Sequence, residues 1–319
     1  MKVSERYLSS FEVRCFPTHN CPHLDELVAR WLMAMFGSIR FPGADTAKFL
    51  IVRNRQVFES ESGASVEERL GKWVAAGQFP LGIGGGPLDD HGQGTKRTLG
   101  VCALVYDWLG LDLPGISRLI AMVSGQDAGT TAKFDYLTLS TAIDQMWTAC
   151  ENDPESVYQW VATVLEAYLL KGTPERPLSV EDAQLVIEKA FSEPEARKWH
   201  VFVKTCRGEH YGAERAVKQL LIRGGDDVRV VEVTWPGIDT PVRICLMKSD
   251  LWQSARVAKR EAGASIRVVW RSSDNMAVIA DPGFDLSPLA EKVMAMEGDR
   301  WTLQFGNQLL NGSRSDPDV

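Results

Sequence analysis

Thr18-His19-Asn20-Cys21-Pro22-His23-Leu24-Asp25-Glu26 is the stretch on which the reading of this chain turns. Ahead of it, Phe11, Val13 and Cys15 alternate as in a buried strand. Behind it, Leu27, Val28, Trp31, Leu32, Met35 and Phe36 recur at helical spacing. Two imidazoles and two carboxylates are therefore expected in a tight turn where a strand hands over to a helix. In an open α/β sheet that corner is where ligands bind. Neutral imidazole with carboxylate suits zinc, manganese or iron. The same residues have a plainer use: a histidine pair can cap a helix or bond within a loop, and Asp25 and Glu26 suit a first helical turn.

Working outward, Phe49 to Arg55 reads as a second strand with Arg53 and Arg55 on one side. Ser65 to Ala76 reads as an amphipathic helix and Phe79 to Ile83 as a short third strand. The loop Gly84-Gly85-Gly86-Pro87-Leu88-Asp89-Asp90-His91-Gly92-Gln93-Gly94 combines glycines with two aspartates and a third histidine. It is neither a P-loop, since Thr95 precedes Lys96, nor a Rossmann fingerprint. Thr95 to Leu109 reads as a helix. Asp127, between glycines after an apolar run, is a candidate ligand or a helix stop. Helical patterns cover about 135–150 and 154–170, and Lys171 to Leu178 breaks them.

Ser179 opens another helix with a capping-box-like start, and helical character continues, interrupted, to about Leu221. The texture then turns to strands: 228–235, 242–247, 266–271, 276–280 and 301–303, with a helix over 287–296. The polar tail from Asn311 reads as frayed. Arg256, Lys259, Arg260, Arg267 and Arg271 form the most basic stretch. They suit either phosphate contacts or a solvated surface. The expected architecture is α/β: a domain over 1–172 with a mostly parallel sheet, a helical connector over 173–225, and a smaller mixed α+β domain over 226–319.

Composition bounds the rest. The 319 residues, 45% hydrophobic and 24% charged, suit a two-domain globular protein. No apolar run is long enough for a membrane span, and Met1 to Arg6 lacks a signal-peptide core. The six cysteines form no disulfide or zinc pattern, so a reducing cytoplasm is expected. A net charge of −7 argues against a broad nucleic-acid surface. The ten tryptophans supply interface material, and self-association stays open.

Together, His19, His23, Asp25, Asp90, His91 and Asp127 resemble the DHH phosphoesterase superfamily. Within it they look most like the melanocyte-proliferating-gene (MYG-type) metal-dependent exonucleases. Thr18 to Glu26 resembles the family's Thr-His-Asn-x-x-x-His-x-Asp-Glu, one residue shorter between the histidines. Ile51 to Arg55 resembles a Val-Arg-Thr-Arg segment. Asp90-His91-Gly92-Gln93 resembles Asp-His-His-Gln, with Gly92 in place of the second histidine. Asp127 stands where the family has its fourth-motif aspartate, and Gly82 where a metal-bridging aspartate is expected.

The resemblance implies hydrolysis of a phosphodiester or nucleotide with one or two divalent ions, most simply Mn²⁺. His19, His23, Asp25, Asp90, His91 and Asp127 would be the ligands, and Asp90 and His91 the catalytic pair. Arg53, Arg55, Arg267 and Arg271 would contact a phosphorylated small molecule or short nucleic acid in an interdomain cleft. The losses at Gly82 and Gly92 imply an alternative, a member that binds nucleotide or RNA without cutting it.

Overall fold

The computed structural model describes residues 10–52, 58, 62–63, 65–84, 86, 88–89, 99–127, 136–150, 153–251, 253–271, 275–297, 301–304 and 308–313. The chain divides into two compact units, Met1–Cys206 and Arg207–Val319. It is mixed α/β, with a small parallel sheet in the first unit and a mixed sheet in the second.

In the first unit, β1 (Cys15–His19) pairs in parallel with β2 (Lys48–Val52), Cys15 opposite Lys48 and His19 opposite Val52. The strand begins at Cys15, later than the alternation of Phe11, Val13 and Cys15 suggests, and so carries the first motif to its own C-terminal end. Pro17 has no N–H to donate, which a strand tolerates only where none is needed. Its carbonyl is used instead: Leu81 N–H donates to it at 2.9 Å, and Phe79 N–H donates to Cys15 O at 3.0 Å. The segment expected as a third strand thus lies extended along β1, bonded at alternate residues, without forming a regular strand.

Helix α1 (Leu24–Leu32) follows β1 and runs into a π-helical turn, Met33–Gly37. Its nine residues are all buried, the charged Asp25, Glu26 and Arg30 among them. A buried charge left alone would cost several kcal/mol, so each needs a partner. Arg30 finds one in Glu155, through two bonds of 2.8 Å, and lies over the Tyr158 ring at 3.7 Å. After α2 (Val66–Ala76), the helices α3 (Val101–Trp108), α4 (Pro114–Asp127), α5 (Leu139–Ala149) and α6 (Pro154–Lys171) pack against α1, and α7 (Val180–Ala190) packs on α6. Asp127 is the last residue of α4, on the helix end rather than in a loop.

Helix α8 (Glu193–Arg223) contains the boundary between the units. The second unit is a six-stranded sheet in the order β3-β4-β5-β6-β8-β7. Its strands are β3 (Val228–Trp235), β4 (Ile238–Lys248), β5 (Ile266–Trp270), β6 (Asn275–Ala280), β7 (Trp301–Gln304) and β8 (Leu309–Ser313). Among the described strands of this sheet, β4 and β5 alone pair in parallel, joined through α9 (Ser254–Ala262). Val257 and Ala258 of α9 share a core with Val228, Cys245 and Met247. Leu286 and Ala290, the latter on α10 (Ser287–Glu297), share another with Val242, Val278 and Leu310. The start of the expected frayed tail belongs to this sheet: Asn311, Gly312 and Ser313 are part of β8, which pairs with both β6 and β7. Its polar side chains hid an inner strand that is held by backbone bonds and anchored in the core by Leu310. Among the described residues no helix is long and apolar enough to cross a membrane.

Candidate metal centre

The corner between β1 and α1 is built by a loop of four residues. Cys21 takes a left-handed conformation, φ 53°, which is uncommon for a residue with a side chain. Trp147 of α5 donates its indole N–H to Pro22 O at 3.2 Å and ties that helix to the loop. His19 ends the strand and His23 caps the helix, with ring centroids 4.8 Å apart.

Glu26 completes the corner. Its Oε2 accepts the His23 backbone N–H at 2.8 Å, and its Oε1 stands 2.8 Å from His19 Nε2. One donor atom each from His19, His23 and Glu26 lies within 4.8 Å of the others. Around a single ion such atoms stand ~3.3 Å apart, given bonds of about 2 Å. His19 and Glu26 are already close enough, so the adjustment falls to His23, which is exposed.

The hydrogen bonds of His19 suit either a doubly protonated ring or a cation here. Its Nδ1 lies 2.9 Å from Asn20 O, and a carbonyl only accepts, so Nδ1 carries a proton. Its Nε2 faces a carboxylate, which when ionised also only accepts. Burial pushes the Glu26 carboxyl up, but the His19 hydrogen bond and the charges of His19 and His23 outweigh burial. They hold Glu26 below the usual carboxylate range. Two acceptors at the two ring nitrogens require either a second ring proton or a cation at Nε2. A ring N–H held by a backbone carbonyl is also the usual outer support of a metal-bound histidine. Two imidazoles and one carboxylate fit Zn²⁺, Mn²⁺ or Fe²⁺ with coordination positions left open.

Asp25, one residue before Glu26, is placed differently. Its Oδ2 accepts the Val101 N–H at 2.5 Å and its Oδ1 the Cys102 N–H at 3.0 Å. Ser124 Oγ accepts the Gly100 N–H at 2.7 Å. Asp25 and Ser124 therefore satisfy backbone donors at the N-terminus of α3, the groups a helix start leaves open. Burial, and the charges of Asp25 and Asp127, push the Cys102 thiol well above its ordinary value. The two aspartates thus both act on one buried thiol, from α1 and from the end of α4. Asp25 is 2% exposed and serves as a cap across the core.

The other expected site residues divide as follows. Arg53, Arg55, Asp90 and His91 lie outside the described residues. Arg267 is 3% exposed; its guanidinium donates to Ala264 O, Ser265 O and Asp281 Oδ1 at 3.3, 2.8 and 2.5 Å. Arg271, at the end of β5, is partly buried with the Asp250 charge acting on it.

Glu26 is a candidate ligand that the motif alone does not single out. Its place three residues after His23 marks a helix cap, and that role masked the other. Asp144 of α5 was also missed. It meets solvent yet is crowded by protein, and this desolvation pushes its carboxyl up to about 6, while its charge helps raise the Cys21 thiol.

No family model matches the chain, and no curated protein matches it. Among solved structures it is similar to an uncharacterized protein from Helicobacter pylori G27, at 11% identity over 95% of this chain and 94% of that one, with a TM-score of 0.31.

Proposed function

We propose that this chain is a metal-dependent phosphoester hydrolase, its ion held by His19, His23 and Glu26. The observation that carries the metal part is the meeting of those three donors at the strand–helix corner. The phosphoester part rests on the motif resemblance of Thr18 to Glu26 and Asp90 to Gln93. A divalent ion of the Mn²⁺ type would supply Lewis acidity toward a phosphoryl oxygen. The chain's own contributions are distinct. His19 and His23 donate ring nitrogens, Asn20 O fixes the His19 ring through Nδ1–H, and Glu26 contributes the anionic oxygen. Asp25 holds the start of α3, directly after the segment bearing Asp90 and His91. The substrate class is a phosphodiester or nucleotide, and a reducing cytoplasm is the setting.

The test is hydrolysis of short RNA, short DNA, cyclic dinucleotides and pyrophosphate with Mn²⁺. Turnover that disappears on chelation and returns with Mn²⁺ supports the proposal; no turnover of any of them overturns it.

One observation favours a second reading, nucleotide binding without cleavage. Gly82, which stands where a further carboxylate is expected, offers no side chain, and its face is packed on Glu26. Nucleotide binding by calorimetry, without turnover, is the outcome that selects this reading.

A further inference from the structure

Gly82 meets two demands at once. Its φ of +70° lies in the left-handed region that favours glycine. The extended segment that follows β1 through Leu81 turns away there, and Gly82 N–H donates to Leu88 O at 3.2 Å. The second demand is space. A Cβ at this position would lie 2.8 Å from Glu26 Oε1 and 3.2 Å from Glu26 Cγ. The atom it would strike is the same oxygen that meets His19 Nε2. Glu26 is buried in α1 and has little room to withdraw.

We infer that Gly82 is a positioning residue: by having no side chain it lets the Glu26 carboxylate lie against His19 as part of an ion-binding set. The inference rests on the proposed ion site but not on hydrolysis. It also assigns a local consequence. A carboxylate side chain at position 82 and the Glu26 carboxylate compete for one space, so the chain carries the anionic donor on the helix instead of on the strand-end turn.

The test uses the full-length chain and Co²⁺, whose visible absorption reports its ligands, with affinity measured by titration. Gly82→Ala should weaken Co²⁺ binding at least about tenfold and change the spectrum, as loss of a supporting contact does in metal sites. A matched control separates this from backbone strain. Gly77 has φ +68°, and a Cβ there would stand 2.8 Å from Arg14 Cγ, a flexible side chain outside the ion-binding set. Gly77→Ala should lower stability and leave Co²⁺ affinity and spectrum unchanged. Equal Co²⁺ behaviour of wild type and Gly82→Ala overturns the inference, as does an equal loss in Gly77→Ala or no Co²⁺ binding by the wild type. If the two variants differ as expected while no phosphoester is cut, the hydrolase reading falls and the role of Gly82 stands.

Discussion

Two charged clusters, one in each unit, show how differently the same residue types can be used. In the second unit Arg267 is buried beside Asp281, which also takes Lys259 Nζ at 2.6 Å. Two backbone carbonyls accept from the same guanidinium nitrogen. Donors and acceptors match there, two cations facing one carboxylate and two carbonyls, and the cluster ties β5 to the end of β6. At the β1–α1 corner acceptors are in excess. His19 has acceptors at both nitrogens, and a buried carboxylate is shared between a histidine ring and a backbone N–H. The first cluster matches its acceptors with its own donors; the second has an excess of acceptors, which the proposed ion would fill. That pattern, rather than charge type and burial, is what would separate a structural cluster from a ligand site.

That contrast can be broken by experiment. Glu26→Gln should have the largest effect, lowering divalent-ion affinity by at least about a hundredfold, since it alters a ligand and not merely a supporting contact; calorimetry with Mn²⁺ reads it. Arg267→Met should cost about 1–3 kcal/mol of stability, since Asp281 loses a charge-assisted hydrogen bond and keeps Lys259, read from the denaturant midpoint. Ion affinity should stay unchanged; a loss there would make the two clusters one system.

Asp25→Asn should cost about 1–3 kcal/mol, because an amide N–H₂ would then face a backbone N–H at the start of α3. Retained Mn²⁺ affinity would mark Asp25 as a cap, and loss matching that of Glu26→Gln would mark it as a ligand.

The smallest effect is a pH dependence. Burial pushes the Asp281 carboxyl up, but Lys259 and Arg267 overcome this and hold it below its ordinary value. The unfolded chain therefore binds the proton first, so this stabilisation is present above about pH 4 and is lost as pH falls through the depressed value. Asp281→Asn should flatten that part of the acid unfolding curve.

Much of this arrangement was legible in the sequence. The strand–turn–helix around Thr18 to Glu26 follows from alternation on one side and helical spacing on the other. The strands over 228–280 follow from their β-branched runs. What was not legible has specific causes. β8 is polar because a strand between two others needs only Leu310 to face the core. His19 and His23 stood out as candidate ligands because paired histidines are rare. Glu26 was not, because a glutamate three residues into a helix is an ordinary cap. The capping role of Asp25 was not legible because the α3 N–H groups it satisfies lie more than seventy residues away. A bond of that range leaves no trace in local spacing.

The most direct measurement is anomalous scattering from crystals soaked in Mn²⁺. The account expects a peak within bonding distance of His19 Nε2, a ring nitrogen of His23 and a carboxylate oxygen of Glu26. Its contradiction would be a well-ordered corner with no peak there, or a peak that His19 and Glu26 do not touch.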